Sequence, residues 1–167
     1  MKAVMMSIKP EWVNEILNGR KKMEVRKTEP RLRTPFRVYI YCTNSGRPLV
    51  YGQLNAYCPE EYQQTYGYSR KQAEKIWEVL NGKVVAEFIC NNIEFIKNEG
   101  FTYENTKRLR KLTCLSMDEI ASYIGDTNIG GYAWNIRDLQ IYDEPKMLSE
   151  FNMKRPPQSW CYVEELK

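Results

Sequence analysis

The first 26 residues constrain the fold most, because their apolar pattern changes its period within a short stretch. An almost continuous apolar run at residues 3–8 predicts a strand that is buried on both faces. Residues 12–17 then show helical spacing, between Pro10, which suits a first helical turn, and Gly19, which suits a helix end. At residues 22–26 the period becomes two, which predicts a second strand. The chain therefore begins as strand, helix, strand.

The second strand has one apolar and one charged face. Met23 and Val25 share the apolar face, while Glu24 and Arg26 share the other, just after Lys21. We therefore predict that the three charged side chains converge at one cleft. Lysine and arginine can hold a phosphate or polarise a carbonyl, and glutamate can accept hydrogen bonds from a base edge or transfer protons.

The rest of the chain reads mostly as strands. Residues 37–43 alternate cleanly and predict a strand with one face in the core, paired in a hairpin with residues 49–54. Residues 83–96 predict a long strand that bends near its middle. Residues 132–142 and 160–163 predict two more. This pattern favours an α+β domain with a curved, mostly antiparallel sheet.

Two capping boxes predict further helices. Ser69 opens one, whose apolar stripe continues to Leu80, and we interpret residues 55–82 as a helical insertion that carries no chemistry. Ser116 and Glu119 open the other. The chain of 167 residues is expected to form a single domain, residues 1–167, around this framework.

Composition limits the chemistry. The chain has no histidine, which excludes Ser-His-Asp and Cys-His catalysis, and its five cysteines form no Cys-x-x-Cys pair. We therefore expect no metal and no cofactor. Scattered cysteines, an odd cysteine count and no signal-like segment in the short apolar run at the start favour a cytoplasmic location. No apolar run reaches the ~20 residues of a membrane span.

The net charge of +4 favours contact with a polyanion. Predicted nucleic-acid backbone contacts come from a polar, basic stretch: Lys107, Arg108, Arg110 and Lys111. The alternative is that this cluster is only a solvated surface. Aromatic residues near the C-terminus can either stack on bases or fill the core: Tyr132, Trp134 and Trp160.

The pattern Gly19-x-Lys21-x-x-Glu24-x-Arg26, after a helix that begins at Pro10, resembles the ASCH domains of the PUA-like superfamily. The run at residues 156–160 is similar to the closing strand of that family. The resemblance covers residues 1–54 and 83–167. It implies a PUA-like curved, mostly antiparallel β pseudo-barrel with flanking helices, and a site at its mouth.

The resemblance implies two classes of function. As a binding module, the domain recognises RNA or a modified nucleotide. As a hydrolase, it acts on RNA without metal or on the amide of acylated cytidine, with Lys21 and Glu24 as catalytic residues. The amidohydrolases use a lysine and a threonine three residues later, where this chain has Glu24. The predicted ligand-binding residues are Lys9, Lys21, Glu24, Arg26, Tyr132, Trp134, Ser159 and Trp160.

Overall fold

The computed structural model describes residues 1–46, 48–51, 78–97, 102–125 and 130–166. In chain order, the described elements are β1 (Lys2–Ile8), α1 (Pro10–Leu17), β2 (Met23–Arg26), β3 (Phe36–Cys42), β4 (Val50–Tyr51), β5 (Glu78–Val79), β6 (Val84–Cys90), β7 (Ile93–Ile96), α2 (Tyr103–Thr113), α3 (Met117–Ile124), β8 (Gly131–Asn135), β9 (Arg137–Lys146), a 3₁₀ helix (Leu148–Phe151) and β10 (Trp160–Glu164). The predicted α+β class is confirmed.

The largest sheet has the strand order β10-β1-β3-β6-β9. Strands β1 and β3 are parallel, and the other neighbouring pairs are antiparallel. Strand β1 lies between β10 and β3, and an apolar cluster packs against each of its two faces. Every residue from Ala3 to Ile8 is therefore buried. The predicted double burial of this strand is confirmed.

The predicted hairpin of residues 37–43 with 49–54 is wrong. Strand β3 pairs with β1 and β6, while β4 pairs with β5 in a separate two-stranded sheet. The prediction of a single core face also fails, because Tyr39 and Tyr41 are buried in a second apolar cluster. Tyrosine can enter a core when its hydroxyl finds a partner, and the Tyr39 hydroxyl accepts a hydrogen bond from the Leu166 N–H.

The third sheet has the order β2-β8-β7 and is antiparallel. The long strand predicted at residues 83–96 is broken at Asn91 and Asn92, so β6 and β7 belong to different sheets. Gly130 leads into β8 with φ of +90°, and a Cβ there would lie 2.1 Å from the Ile96 carbonyl oxygen. The paired glycines at 130 and 131 therefore permit a close approach of backbones.

The helices differ in part from the prediction. The capping box at Ser116 and Glu119 is present and begins α3. Residues 103–113, interpreted as part of a polar stretch, form α2, because Leu109 packs into the core and the charged residues face solvent. The helix predicted to continue to Leu80 does not include residues 78 and 79, because Glu78–Val79 is a strand. The rest of the predicted insertion at 55–82 lies largely outside the described residues.

The described strands form three separate sheets, and within the described ranges they do not close into a barrel. In the part of the chain that the structure describes, no helix is long and apolar enough to cross a membrane.

Candidate functional site

A cavity of about 730 Å³ opens where the end of β1, the start of α1, strand β2 and helix α3 meet. The segment before β10 completes its wall. The cavity is lined by Ser7, Ile8, Lys9, Trp12, Lys21, Glu24, Val25, Arg26, Thr43, Ser45, Leu115, Asp118, Glu119, Ser122, Tyr123, Gln158 and Ser159. Its volume is within the range of pockets that bind small molecules.

Strand β2 contributes Glu24 and Arg26 to this cavity, and Val25 also reaches its lining. Met23 and Val25 pack into an apolar cluster with α2 and α3. The period of a strand then turns Glu24 and Arg26 to the opposite side, as the sequence predicted. Lys21 joins them from the turn that connects α1 to β2.

The three charged side chains form one buried network, which we call the buried triad. Lys21 Nζ lies 3.3 Å from Glu24 Oε2, and Arg26 Nη2 lies 3.0 Å from Glu24 Oε1. The exposed fractions of Lys21, Glu24 and Arg26 are 1%, 6% and 6%. The spacing of these residues in the sequence also fits an exposed salt-bridge network, and their burial shows that the site is not one. Two cations share one carboxylate, so the triad carries a formal charge of +1.

Backbone carbonyls hold both cations in place. Lys21 Nζ donates a hydrogen bond of 2.5 Å to the Thr113 carbonyl, at the C-terminus of α2. The negative end of a helix dipole suits a cation at that position. Arg26 Nη2 donates to the Ser7 carbonyl at 2.8 Å, and Nη1 lies 3.5 Å from Ser159 Oγ. The triad is therefore tied to β1, to α2 and to the segment before β10.

Two atoms of the triad lack hydrogen bonds although they are buried: Glu24 Oε2, which has only the ion pair with Lys21, and Arg26 Nε. Buried polar atoms are normally paired, because an unpaired one loses its hydration without compensation. Both residues line the cavity. The triad thus has one acceptor and one donor without hydrogen-bond partners in residues that line the cavity.

Helix α3 contributes Asp118, Glu119, Ser122 and Tyr123 to the lining. The backbone N–H of Ser116 donates to the Glu119 carboxylate and lowers its pKa, so that this side chain is held as an anion at the start of the helix. The cavity lining therefore combines the triad with the carboxylates of Asp118 and Glu119.

The structure separates the predicted ligand-binding residues into two groups. Lys9 and Ser159 line the cavity with the triad. The aromatic residues do not: Tyr132, Trp134 and Trp160 lie outside its lining.

Trp134 is 0% exposed and packs between the sheets, with its ring centroid 5.7 Å from that of Phe36. Trp134 pairs across the strands with Glu24, so the two side chains lie on the same face of the sheet, but Trp134 is on the central strand β8 and Glu24 is on the edge strand β2. The prediction of a stacking face at Trp134 is therefore wrong, and the core alternative holds. Trp160 is half-buried, and its indole N–H donates to Thr28 Oγ1 at 3.0 Å.

The predicted backbone contacts lie on the exposed side of α2: Lys107, Arg108, Arg110 and Lys111. Arg108 forms an ion pair with Glu94. The last turn of α2 abuts the start of β2, because the Lys22 N–H donates to the Leu112 carbonyl at 2.7 Å. This basic surface therefore lies next to the segment that carries the triad.

Sequence reasoning missed two aromatic residues of the cavity, Trp12 and Tyr123. The sequence places Trp12 in the apolar stripe of the first helix and gives no signal at Tyr123. Each residue directly precedes a buried position of its helix, Val13 or Ile124. Only the packing of α1 and α3 brings the two rings to one cavity.

No metal-binding cluster stands out in the described residues: three or more His, Cys, Asp or Glu side chains do not come together there in an arrangement that could hold an ion.

The fold and the cavity define an α+β domain with a buried cationic site. No protein-family model matches the chain, and no curated protein matches its sequence. The chain is similar to crystal structures of an ASCH protein from Zymomonas mobilis. A tyrosine-to-phenylalanine variant matches with a TM-score of 0.64 and 18% identity, over 99% of this chain and 92% of that chain.

Two further structures of the Zymomonas mobilis protein also match. The unsubstituted form has a TM-score of 0.62 and 18% identity, over 98% of this chain and 88% of that one. A serine-to-alanine variant has a TM-score of 0.62 and 17% identity, over 98% and 89%. This chain therefore has the fold of an ASCH domain.

Proposed function

We propose that this chain is a cytoplasmic ASCH-type domain of the PUA-like superfamily that binds RNA or a nucleotide in the cavity above the buried triad. The observation that carries the proposal is the burial of Lys21, Glu24 and Arg26 at a cavity wall. Burying three charges is costly, and apolar residues of similar size would stabilise such a site at least as well. A pocket lined by a few convergent polar groups is a candidate ligand site.

The charge and hydrogen-bonding capacity of the triad suit a nucleotide. The three cations and three carboxylates that line the cavity balance in formal charge, which suits a nucleotide whose uncharged base enters the cavity. Arg26 Nε and Glu24 Oε2 offer a donor and an acceptor without hydrogen-bond partners, and base edges present both kinds of group.

The basic surface of α2 supports an extended strand rather than a free mononucleotide. Arg110 and Lys111 lie in the last turn of α2, which abuts the start of β2. A strand whose base enters the cavity can then place its phosphates on that turn. Phosphate contacts of this kind give affinity without sequence preference.

The test is salt-dependent binding of a short fluorescent RNA, measured by anisotropy. For a single strand, the logarithm of affinity is expected to fall with the logarithm of salt concentration, with a slope of about −0.7 per phosphate contacted. Replacement of Arg110 with alanine should remove about one contact and flatten the slope. Arg137→Ala is the matched control, because Arg137 is an exposed arginine of edge strand β9 that does not line the cavity.

Absent or salt-insensitive RNA binding would contradict the strand proposal. Nucleoside 5′-monophosphates, titrated by calorimetry, then distinguish a domain that binds single nucleotides from one that binds neither ligand.

Hydrolysis is the second candidate, and one observation favours it. Lys21 Nζ lies 3.3 Å from Glu24 Oε2, an oxygen without a hydrogen bond that can accept a proton from water or from a substrate hydroxyl. The experiment compares wild type with Lys21→Met for acetate release from N4-acetylcytidine and for cleavage of RNA in the presence of a chelator. Turnover that depends on Lys21 would replace the binding proposal with the enzymatic one.

A further inference from the structure

Two aromatic side chains line the cavity, and each carries a lysine above its ring. Lys21 Nζ lies 5.2 Å from the centre of the Trp12 ring, and Lys27 Nζ lies 5.6 Å from the centre of the Tyr123 ring. Both distances are within the range of cation–π attraction. Lys21 comes shortly before β2 and Lys27 follows it directly, so the two lysine–aromatic pairs bracket the strand that carries Glu24.

The two aromatic residues come from different helices. Helix α1 packs into the main core through Val13 and Ile16. Helix α3 packs into a separate cluster, with the apolar residues of β2, through Ile120 and Ile124. Two independently packed elements therefore each supply one ring to the cavity lining.

The exposure of these rings suits a ligand contact. Tyr123 is 38% exposed, and Trp12 is half-buried. Each ring has a lysine Nζ over it, and both rings contribute to the cavity lining. The aromatic residues first predicted to stack on a base do not line the cavity, so Trp12 and Tyr123 are the aromatic rings that it offers among the described residues.

We infer that Trp12 and Tyr123 hold a planar heterocycle by stacking, so that the base of the ligand, and not its phosphate, is what enters the cavity. This inference rests on the proposed nucleotide binding. The carboxylates that α3 contributes to the lining support it, because Asp118 and Glu119 disfavour a phosphate beside them and can accept hydrogen bonds from the amino groups of a base.

The experiment measures the affinity of the full chain for two probes by calorimetry. The first probe is a nucleotide, either adenosine 5′-monophosphate or cytidine 5′-monophosphate, whichever binds more tightly. The second is ribose 5-phosphate, which lacks the base. Wild type should bind the nucleotide more tightly. Trp12→Leu and Tyr123→Leu should each weaken nucleotide binding by about 10-fold, as expected for loss of one stacking ring, and should leave binding of ribose 5-phosphate unchanged.

Ring-preserving variants separate stacking from a merely structural role. Trp12→Phe and Tyr123→Phe should retain most of the affinity, because each keeps an aromatic face. Tyr162→Leu is the matched control, since Lys2 lies 5.9 Å from the centre of its ring and that ring does not line the cavity. Thermal unfolding of each variant reports whether it folds.

Three results would overturn the inference. Equal losses for both probes would assign Trp12 and Tyr123 a structural role. Unchanged nucleotide affinity in folded leucine variants would refute stacking and leave the proposed function standing. If wild type binds neither a nucleotide nor RNA, the proposed function and the inference fail together.

Discussion

The most direct perturbation of the site is Glu24→Gln, which removes the only carboxylate of the buried triad. Glutamine keeps the size of the side chain and can still accept a hydrogen bond from Arg26. It cannot balance charge, so Lys21 and Arg26 remain as two buried cations, at 1% and 6% exposure.

The size of the effect follows from this burial. Removing one partner of a buried ion pair costs about 3–5 kcal/mol, because the remaining charge is desolvated without compensation. Lys21 keeps the Thr113 carbonyl and Arg26 keeps the Ser7 carbonyl. We therefore expect the lower end, about 3 kcal/mol of unfolding free energy. For a chain of this size that corresponds to a fall of roughly 6–12 °C in Tm.

The assay is urea unfolding of wild type and variants, followed by circular dichroism. Glu15→Gln is the matched control: Glu15 also pairs with an arginine, with Arg20 Nε 2.6 Å from its Oε2, but this pair lies at the surface. Exposed ion pairs contribute little to stability. The control should therefore lose much less stability than Glu24→Gln.

A double-mutant cycle tests the cause of the loss. Lys21→Met alone removes one of the two cations. The double variant Lys21→Met, Glu24→Gln should lose less unfolding free energy than the two single variants lose together, because the carboxylate is then removed from a site with one cation fewer. Equal stability losses for Glu24→Gln and Glu15→Gln, or additive losses in the cycle, would refute the reasoning that the triad is an electrostatic unit.

Other regions of the chain give three further predictions. Burial raises the pKa of the Cys42 thiol to about 12, so this thiol should not react with a disulfide reagent at about pH 8, where an ordinary thiol does, until the protein unfolds; rapid labelling mapped to its peptide would contradict this. Gly130→Ala should destabilise the fold far more than Gly19→Ala, although both glycines have positive φ, because only at Gly130 does the new Cβ meet a backbone oxygen, at 2.1 Å; similar losses in Tm would show that space is not the cause. The Ser116 N–H lowers the pKa of Glu119 in the folded protein, so ionised Glu119 stabilises the fold above the ordinary carboxyl pKa, and this stabilisation is lost as the pH falls through the folded pKa. Glu119→Ala and wild type should therefore differ in unfolding free energy at neutral pH and converge in acid. A difference that stays constant with pH would rule out this capping contribution.

The triad shows how far sequence patterns reach into the site. Period-two alternation separates Glu24 from Met23 and Val25. In the structure Met23 and Val25 pack with α2 and α3 while Glu24 joins the ion pairs of the triad, although Val25 also contributes to the cavity lining. The same alternation gives no measure of burial, since an exposed network of lysine, glutamate and arginine has the same spacing. The Ser7 and Thr113 carbonyls that hold the cations are distant in sequence, and only the packing of β1 and α2 beside β2 brings them there.

The aromatic residues show the opposite case. Trp134 and Trp12 have the same residue type and both lie in elements that the sequence predicted. One is enclosed between two sheets, and the other lines the cavity. The difference depends on what covers each ring, which is a property of the assembled layers.

Local interactions are what the sequence by itself determined: the helix between Pro10 and Gly19, the capping box at Ser116, and the alternating faces of β2. These depend on neighbours within about one turn or on strand period, so they can be read from residue order. Strand partners, the division of residues 83–96 between two sheets, and the burial of the triad were decided only by the tertiary structure. They depend on contacts between residues far apart in the chain. Many alternative pairings of such residues fit the local pattern equally well, and only the complete core favours one of them.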